Sequence, residues 1–387
     1  MRKAITLVIS SILLLSINAP IANAAGKIGA PCSKLGSMAI YKGTILSCKK
    51  NGSKNTWATP GQIQAAETSS LLSAPRPTSF DNLYKNRKGI SAAAWSKFNS
   101  VDYQANPRSE IEIFIGPNTK PWNNNPTSPM SKVGNSFKTA SVPKKVVMIY
   151  YSFQDLVWAK EKLLSLVSKN DFDNFYRNEG GRVTESNCDE GVPDCNGAKA
   201  LMTQDGMGVL LMGVPGALDE SDITAPLRFQ SGMLEAHEYF HTLQDVPLIG
   251  KSLEREDFPP RWLLEGGAEF VQNATVNSGN FSQYLNFRSL DGKDLYQRNT
   301  FYTQQVISDY LSRSDWNEAA FMDYYLGARV VEIFVALNGQ QSLLELNEAL
   351  STKIGFKASF KKVYGYEWEK AIPIIAKVVS ARINEEK

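Results

Sequence analysis

Histidine is almost missing from this chain of 387 residues, which has two. Cysteine is scarce as well, at four, and no two of them form the paired CxxC spacing of a cysteine-built structural zinc site. Charge of one sign is not in excess. Lys+Arg number 42 against 39 Asp+Glu, a formal net charge of +3, and no basic stripe dominates, which argues against a nucleic-acid partner. With 43% hydrophobic and 21% charged residues, the composition excludes long disorder. Beyond the first two dozen residues no apolar run is long enough to span a bilayer, and no internal repeat is evident.

Both histidines fall in His237-Glu238-Tyr239-Phe240-His241, an HExxH pattern. Positions i and i+4 of a helix lie one above the other, so both imidazoles can reach one metal ion. Glu238 projects beside that ion, where it can take a proton from a water. The surroundings agree with a helix over Phe229–Gln244. That stretch has no internal proline, and Met233, Ala236, Phe240 and Leu243 recur on one apolar side. Pro226 can open the helix and Pro247 close it.

Catalytic zinc normally takes three protein ligands and leaves one position open. With no third histidine, the remaining ligand is expected to be a carboxylate. Trp262-Leu263-Leu264-Glu265-Gly266-Gly267-Ala268-Glu269 follows Pro259-Pro260 and reads as a second helix. Glu265 and Glu269 stand one turn apart on it. Glu265 can then bind the metal while Glu269 accepts a hydrogen bond from the other nitrogen of a ligand histidine. Gly266-Gly267 fits two helices that must approach closely; the competing reading is an exposed acidic helix with a flexible joint.

In these residues the chain resembles the gluzincin metallopeptidases, the thermolysin-like and HExxH aminopeptidase-like enzymes. The resemblance implies a zincin-like catalytic region with one zinc on His237, His241 and Glu265, a general base at Glu238 and a histidine-orienting carboxylate at Glu269. Twenty-three residues separate His241 from Glu265, so the connection through Asp245–Asp257 is longer than the commonest one. The Gly-x-Met-Glu-Asn motif that holds a free N-terminus in the aminopeptidases is absent, which favours endopeptidase action. A second resemblance lies in Tyr324-Tyr325-Leu326-Gly327, where related enzymes carry Tyr-x-x-Gly. It implies that Tyr324 donates to the oxyanion of the tetrahedral intermediate, with Tyr325 the alternative. By position, Gly206–Val214 matches the edge strand along which such enzymes bind extended substrate.

The chain opens with Arg2-Lys3, an apolar run from Ala4 to Ile17 and the cleavage-like Ala22-Asn23-Ala24, as a secretory signal does. An uncleaved anchor is the alternative. With no Cys at the cleavage site a lipid anchor is not expected, and an exported chain suggests two local disulfides, Cys32–Cys48 and Cys188–Cys195. Cys32 and Cys48 bracket a hairpin signal at Lys42-Gly43. Asp189, Glu190 and Asp194 in the second loop could hold calcium, but a solvated turn is the preferred reading.

The expected organisation is a signal peptide over 1–24, a small Cys-linked β-rich module over 25–59, a linker over 60–89 and the metallopeptidase region over 90–387. That region should be α+β, with strands at Ile111–Ile115, Lys145–Tyr151 and Gly206–Val214 and a helix at Phe153–Val167. It should turn mainly helical after about residue 245, with helices at Val330–Leu337, Ser342–Leu350 and Trp368–Ala381. Lys27, Lys34, Lys42, Lys49, Lys50 and Lys54 of the module can contact anionic wall polymer or can simply be solvated. The functional expectation is a secreted zinc peptidase acting on peptide or protein. The rival is a non-catalytic cell-envelope binding protein on the same scaffold, with zinc for structure only.

Overall fold

The protein was described from a computed structural model, covering residues 27–33, 38–41, 44–51, 53–58, 68–100, 107–189, 191–218, 224–254, 257–291, 303–313 and 322–386. The signal-like segment, Lys34, Lys42-Gly43 and Glu190 lie outside the described residues. The chain divides into two compact units, Met1–Thr59 and Pro60–Lys387. In the first, β1 (Met38–Tyr41), β2 (Thr44–Asn51) and β3 (Lys54–Ala58) form an antiparallel sheet with β2 central. Cys48 on β2 is bonded to Cys32.

The second unit carries a four-stranded mixed sheet. Its strands β4 (Glu110–Ile115), β5 (Lys145–Tyr151), β8 (Ala198–Met202) and β9 (Gly208–Gly213) are ordered β4-β5-β9-β8. Only β8 runs antiparallel. Residue alternation divides the core into two layers, as the period of two requires. Val146, Met148, Tyr150, Leu210 and Met212 face the main helical core. Val147, Ile149, Tyr151, Val209 and Leu211 face a smaller one. That smaller core is closed by α3 (Leu156–Leu166), α4 (Lys169–Asn178) and the short hairpin of β6 (Cys188–Asp189) and β7 (Asp194–Cys195) with its Cys188–Cys195 disulfide.

On the main side lie α1 (Ile90–Phe98), α2 (Thr127–Ser136), α5 (Ala225–Gln230), α6 (Met233–Asp245), α7 (Arg261–Val276), α8 (Phe281–Asp291), α9 (Gln304–Ser312) and α10 (Gly327–Asn338). The chain ends with α11 (Gln341–Leu350), α12 (Gly355–Tyr364) and α13 (Trp368–Glu386). No helix among the described residues is long and apolar enough to cross a membrane.

Two expectations need correction. Gly206–Val214 supplies β9, an interior strand paired on both sides, and the sheet edges are β4 and, next to β9, β8. The helix expected over Phe229–Gln244 is two helices, broken where Gly232 adopts φ 88°. A Cβ at Gly232 would meet Pro129 Cγ at 2.7 Å, so the close approach of this break to the Pro129 segment depends on glycine. Within the stretch read as linker, Phe80 and Leu83 are buried and Phe80 stacks on Tyr366 at 4.7 Å, while most of the other residues of 68–89 are exposed or half-buried. Asp189 and Asp194 accept backbone hydrogen bonds from Gly191 and Gly216, each at 2.8 Å, as turn residues do, and among the described residues they join no ligand cluster.

A buried charge network locks the helical half. Glu332 on α10 is 1% exposed and accepts from the Tyr284 hydroxyl at 2.6 Å, Arg288 Nη2 at 3.1 Å and Arg382 Nη2 at 2.6 Å. It thereby ties α10 to α8 and α13. Burial alone would raise its pKa, but the guanidinium groups of Arg288, Arg382 and Arg329 outweigh that and hold its carboxyl well below the usual range. Removing one partner of such a set leaves buried charge uncompensated, so Glu332→Ala should cost about 3–5 kcal/mol in denaturant unfolding. A loss under about 1 kcal/mol would show that the arginines are satisfied without it.

Candidate metal centre

Helices α6 and α7 pack side by side, and the sequence allows the contact through glycine. A Cβ at Gly267 would meet Gln244 Nε2 at 3.1 Å and Phe240 Cε1 at 3.2 Å. Gly266 serves a different neighbour: a Cβ there would run into the backbone of Gly327 and Ala328, where the Tyr324 segment enters α10. The two glycines thus let α7 approach the HExxH helix on one side and the tyrosine-bearing turn on the other. Met233, Ala236, Phe240 and Leu243 are buried beneath α6, which turns His237, Glu238 and His241 toward α7.

His237, His241 and Glu265 form a group that could hold a metal ion, the one such group of three or more among the described residues. Glu265 Oε2 lies 3.5 Å from His237 Nε2 and 3.3 Å from His241 Nε2. Ligand atoms at about 2.0–2.1 Å around a tetrahedral ion are about 3.3 Å apart, so these separations fit one cation between them. Glu265 Oε2 is also buried without a hydrogen-bond partner, the condition that a bound ion would relieve. The ligand side chains of His241 and Glu265 remain 18% exposed, leaving the centre reachable from solvent on that side.

Around the triad stand groups that hold each ligand. His241 Nδ1 is 2.7 Å from Gln244 Oε1, and Gln244 Nε2 donates to the Leu264 carbonyl at 3.1 Å. That second bond fixes the amide orientation. The imidazole then donates through Nδ1 and keeps the Nε2 lone pair toward Glu265. On the other histidine, Glu269 Oε2 stands 3.9 Å from His237 Nδ1, within ion-pair range but beyond hydrogen-bonding distance. Glu269 in turn accepts from Gln272 Nε2.

Glu238 is 6% exposed, and the backbone of Ala200 on edge strand β8 hydrogen-bonds to it. Burial raises its pKa against the opposing pull of His237 and His241. Tyr324 occupies a π-helical turn, Met322–Leu326, a form of helix that recurs at functional sites. Its ring stacks on His237 at 5.9 Å and 12°, and its hydroxyl donates to Glu265. Burial first, and that carboxylate second, raise its pKa. Tyr325 points elsewhere, lining a cavity with Glu269, Arg288 and Arg329. Arg261 Nε lies 3.3 Å from Asp323 Oδ2 and 3.9 Å from Glu265 Oε1.

The structure therefore brings His237, Glu238, His241, Glu265, Glu269 and Tyr324 together and leaves Tyr325 and the four disulfide cysteines outside the group. Sequence reading missed Gln244, Arg261 and the Ala200 amide. Of these, Gln244 carried a signal, since it stands three residues after a ligand histidine on the same helix. No protein-family model, no curated protein and no solved structure matches the chain.

Electrostatics of the metal-free centre yields a pH dependence. Burial disfavours the charged form of His241, but Glu265 and Glu238 outweigh it and raise its pKa to about 9. A group with a raised folded-state pKa stabilises the metal-free chain fully below its unfolded value of about 6.5, and that contribution fades as pH climbs through 9. A cation entering the centre must displace this proton. Apparent metal affinity should therefore rise about tenfold per pH unit up to about pH 9 and level off above it. Calorimetric titration in buffers of different ionisation enthalpy counts the released proton. A flat affinity profile with no proton release would contradict the assignment of His241.

Proposed function

We propose that the chain is a secreted zinc-dependent peptidase with gluzincin-like chemistry, cleaving internal bonds of extended peptide. The observation that supports it most is the place of Glu238, a buried carboxylate with raised pKa between the metal-ligand group and the sheet edge. A structural metal site needs no such base. Two imidazoles and one carboxylate, with a side open to solvent, are the donor set of a catalytic zinc. When bound, that ion would polarise the scissile carbonyl and lower the pKa of a water beside it.

Glu238 takes the proton from the attacking water and later passes it to the leaving amine. Its raised pKa suits both roles, because a carboxyl that binds its proton more firmly is a better relay near neutral pH. Tyr324 re-aims its hydroxyl from Glu265 to the developing oxyanion, supported from behind by Arg261. Substrate in extended form adds to the free edge of β8 beside Ala200, so its scissile carbonyl lies next to Glu238. The N-terminal signal-like segment supports an extracellular location for this chemistry.

Glu238→Gln keeps the side-chain volume and removes the proton acceptor. With metal content unchanged, cleavage of an unfolded protein substrate should fall by about 10²-fold or more. Tyr324→Phe should lower kcat by about 10²–10³ with little change in KM. If zinc-loaded wild type cleaves no peptide or protein, and Glu238→Gln behaves identically, the structural-zinc reading replaces this one.

A further inference from the structure

Two residues before the first ligand histidine, α6 carries a second buried carboxylate on another face of the helix. Glu235 is 2% exposed, and the two side chains that donate to it both meet one oxygen. The Tyr150 hydroxyl donates to Oε1 at 2.7 Å and Asn123 Nδ2 donates to the same atom at 2.9 Å. Oε2 is buried and has no hydrogen-bond partner among the described residues. Leaving such an atom without a hydrogen bond carries a desolvation cost. Nothing in the metal chemistry proposed above uses it.

The carboxylate belongs to a cavity of about 260 Å³, counting its open mouth, in which Glu235, Tyr150 and Asn123 are joined by Trp122 and Phe229. It is built rather than incidental. The segment carrying Trp122 and Asn123 is pinned by Asp155, which accepts from Asn118 N at 3.0 Å and Asn118 Nδ2 at 2.8 Å. Trp122 donates its indole N–H to the Pro215 carbonyl at 2.9 Å and is 37% exposed, so it forms the rim. A Cβ on Gly232 would come within 3.3 Å of Asn123 Nδ2, so glycine there keeps Asn123 in reach of Glu235.

A carboxylate with one unsatisfied oxygen among three aromatic rings has the chemistry of a cation receptor. The oxygen needs a donor, and the faces of Trp, Tyr and Phe attract cations. A water supplies donors without charge. A metal ion finds one carboxylate and no second ligand of that type. We propose that this cavity is a subsite for an alkylammonium group, reached past Trp122 and held by Glu235 Oε2. The group can be the head of a lysine side chain or the free amine of a chain terminus. The proposal stands independently of peptide cleavage.

The full chain should be titrated calorimetrically with three probes, in metal-free and zinc-loaded forms. Nα-acetyl-lysine N-methylamide carries only a side-chain ammonium, alanyl-alanine N-methylamide only a terminal one, and Nα-acetyl-norleucine N-methylamide neither. At least one ammonium probe should bind at about millimolar Kd and at least tenfold more tightly than the norleucine probe; which one binds identifies the source. Glu235→Gln should weaken that binding at least tenfold, and Trp122→Leu by about 3–30-fold. Thermal melting checks that each variant folds. Because Trp122 is at the rim, its variant decides the question if Glu235→Gln does not fold. Equal binding of the norleucine probe, undiminished binding in a folded variant, or no binding of either ammonium probe up to about 50 mM would each overturn the proposal and leave an ordered water as the occupant.

Discussion

The convergence of Glu265 Oε2 on two imidazole nitrogens, at 3.3 and 3.5 Å, is the constraint around which the helical half is arranged. Three polar atoms held this closely, two of them on one helix and the third on another, need a fixed distance between α6 and α7. Gly267 allows that distance, and Gln244 fixes it by bonding at once to His241 and to the Leu264 carbonyl one residue before Glu265. Asn347 on α11 donates to the Gln244 carbonyl at 3.0 Å, so a further helix braces the same point. The centre is held from behind.

Geometry on the opposite face follows from the other glycine. Gly266 lets the turn bearing Tyr324 lie against α7, and the π-helical winding of Met322–Leu326 sets Tyr324 over His237 while Tyr325 turns away to a separate cavity. The buried Glu332 network then anchors α10, which continues from that turn, to α8 and α13. Burial thus serves two purposes here. It stabilises the fold where Glu332 is surrounded by arginines, and it raises proton affinity where Glu238 has no arginine or lysine among the described residues to offset it.

What could be read in advance was local. The HExxH pair and the Glu265–Glu269 pair are spacings within single helices, so the side-chain period of the helix was enough to put each pair on one face. Strands β4 and β5 announced themselves through runs such as Lys145–Tyr151, rich in β-branched and aromatic residues. Strand β8, Ala198–Met202, did not, because Ala-Lys-Ala-Leu-Met consists of helix formers and only pairing with β9 makes it extended. Its position at the sheet edge beside Glu238 was therefore assigned to the wrong segment. The Glu332 network was invisible for a different reason: its partners stand 44 to 50 residues away in sequence, a distance at which no local pattern operates. The packed part of 60–89 was hidden by its turn-rich composition, although Phe80 and Leu83 were available as anchors.

The account stands on the claim that His237, His241 and Glu265 together hold one ion with a position left open. X-ray absorption at the zinc edge of the zinc-loaded protein tests this most directly. A first shell of four nitrogen and oxygen atoms at about 2.0–2.1 Å, with the outer-shell scattering of two imidazole rings, is the predicted result. A shell without imidazole scattering, or with oxygen atoms alone, would contradict it.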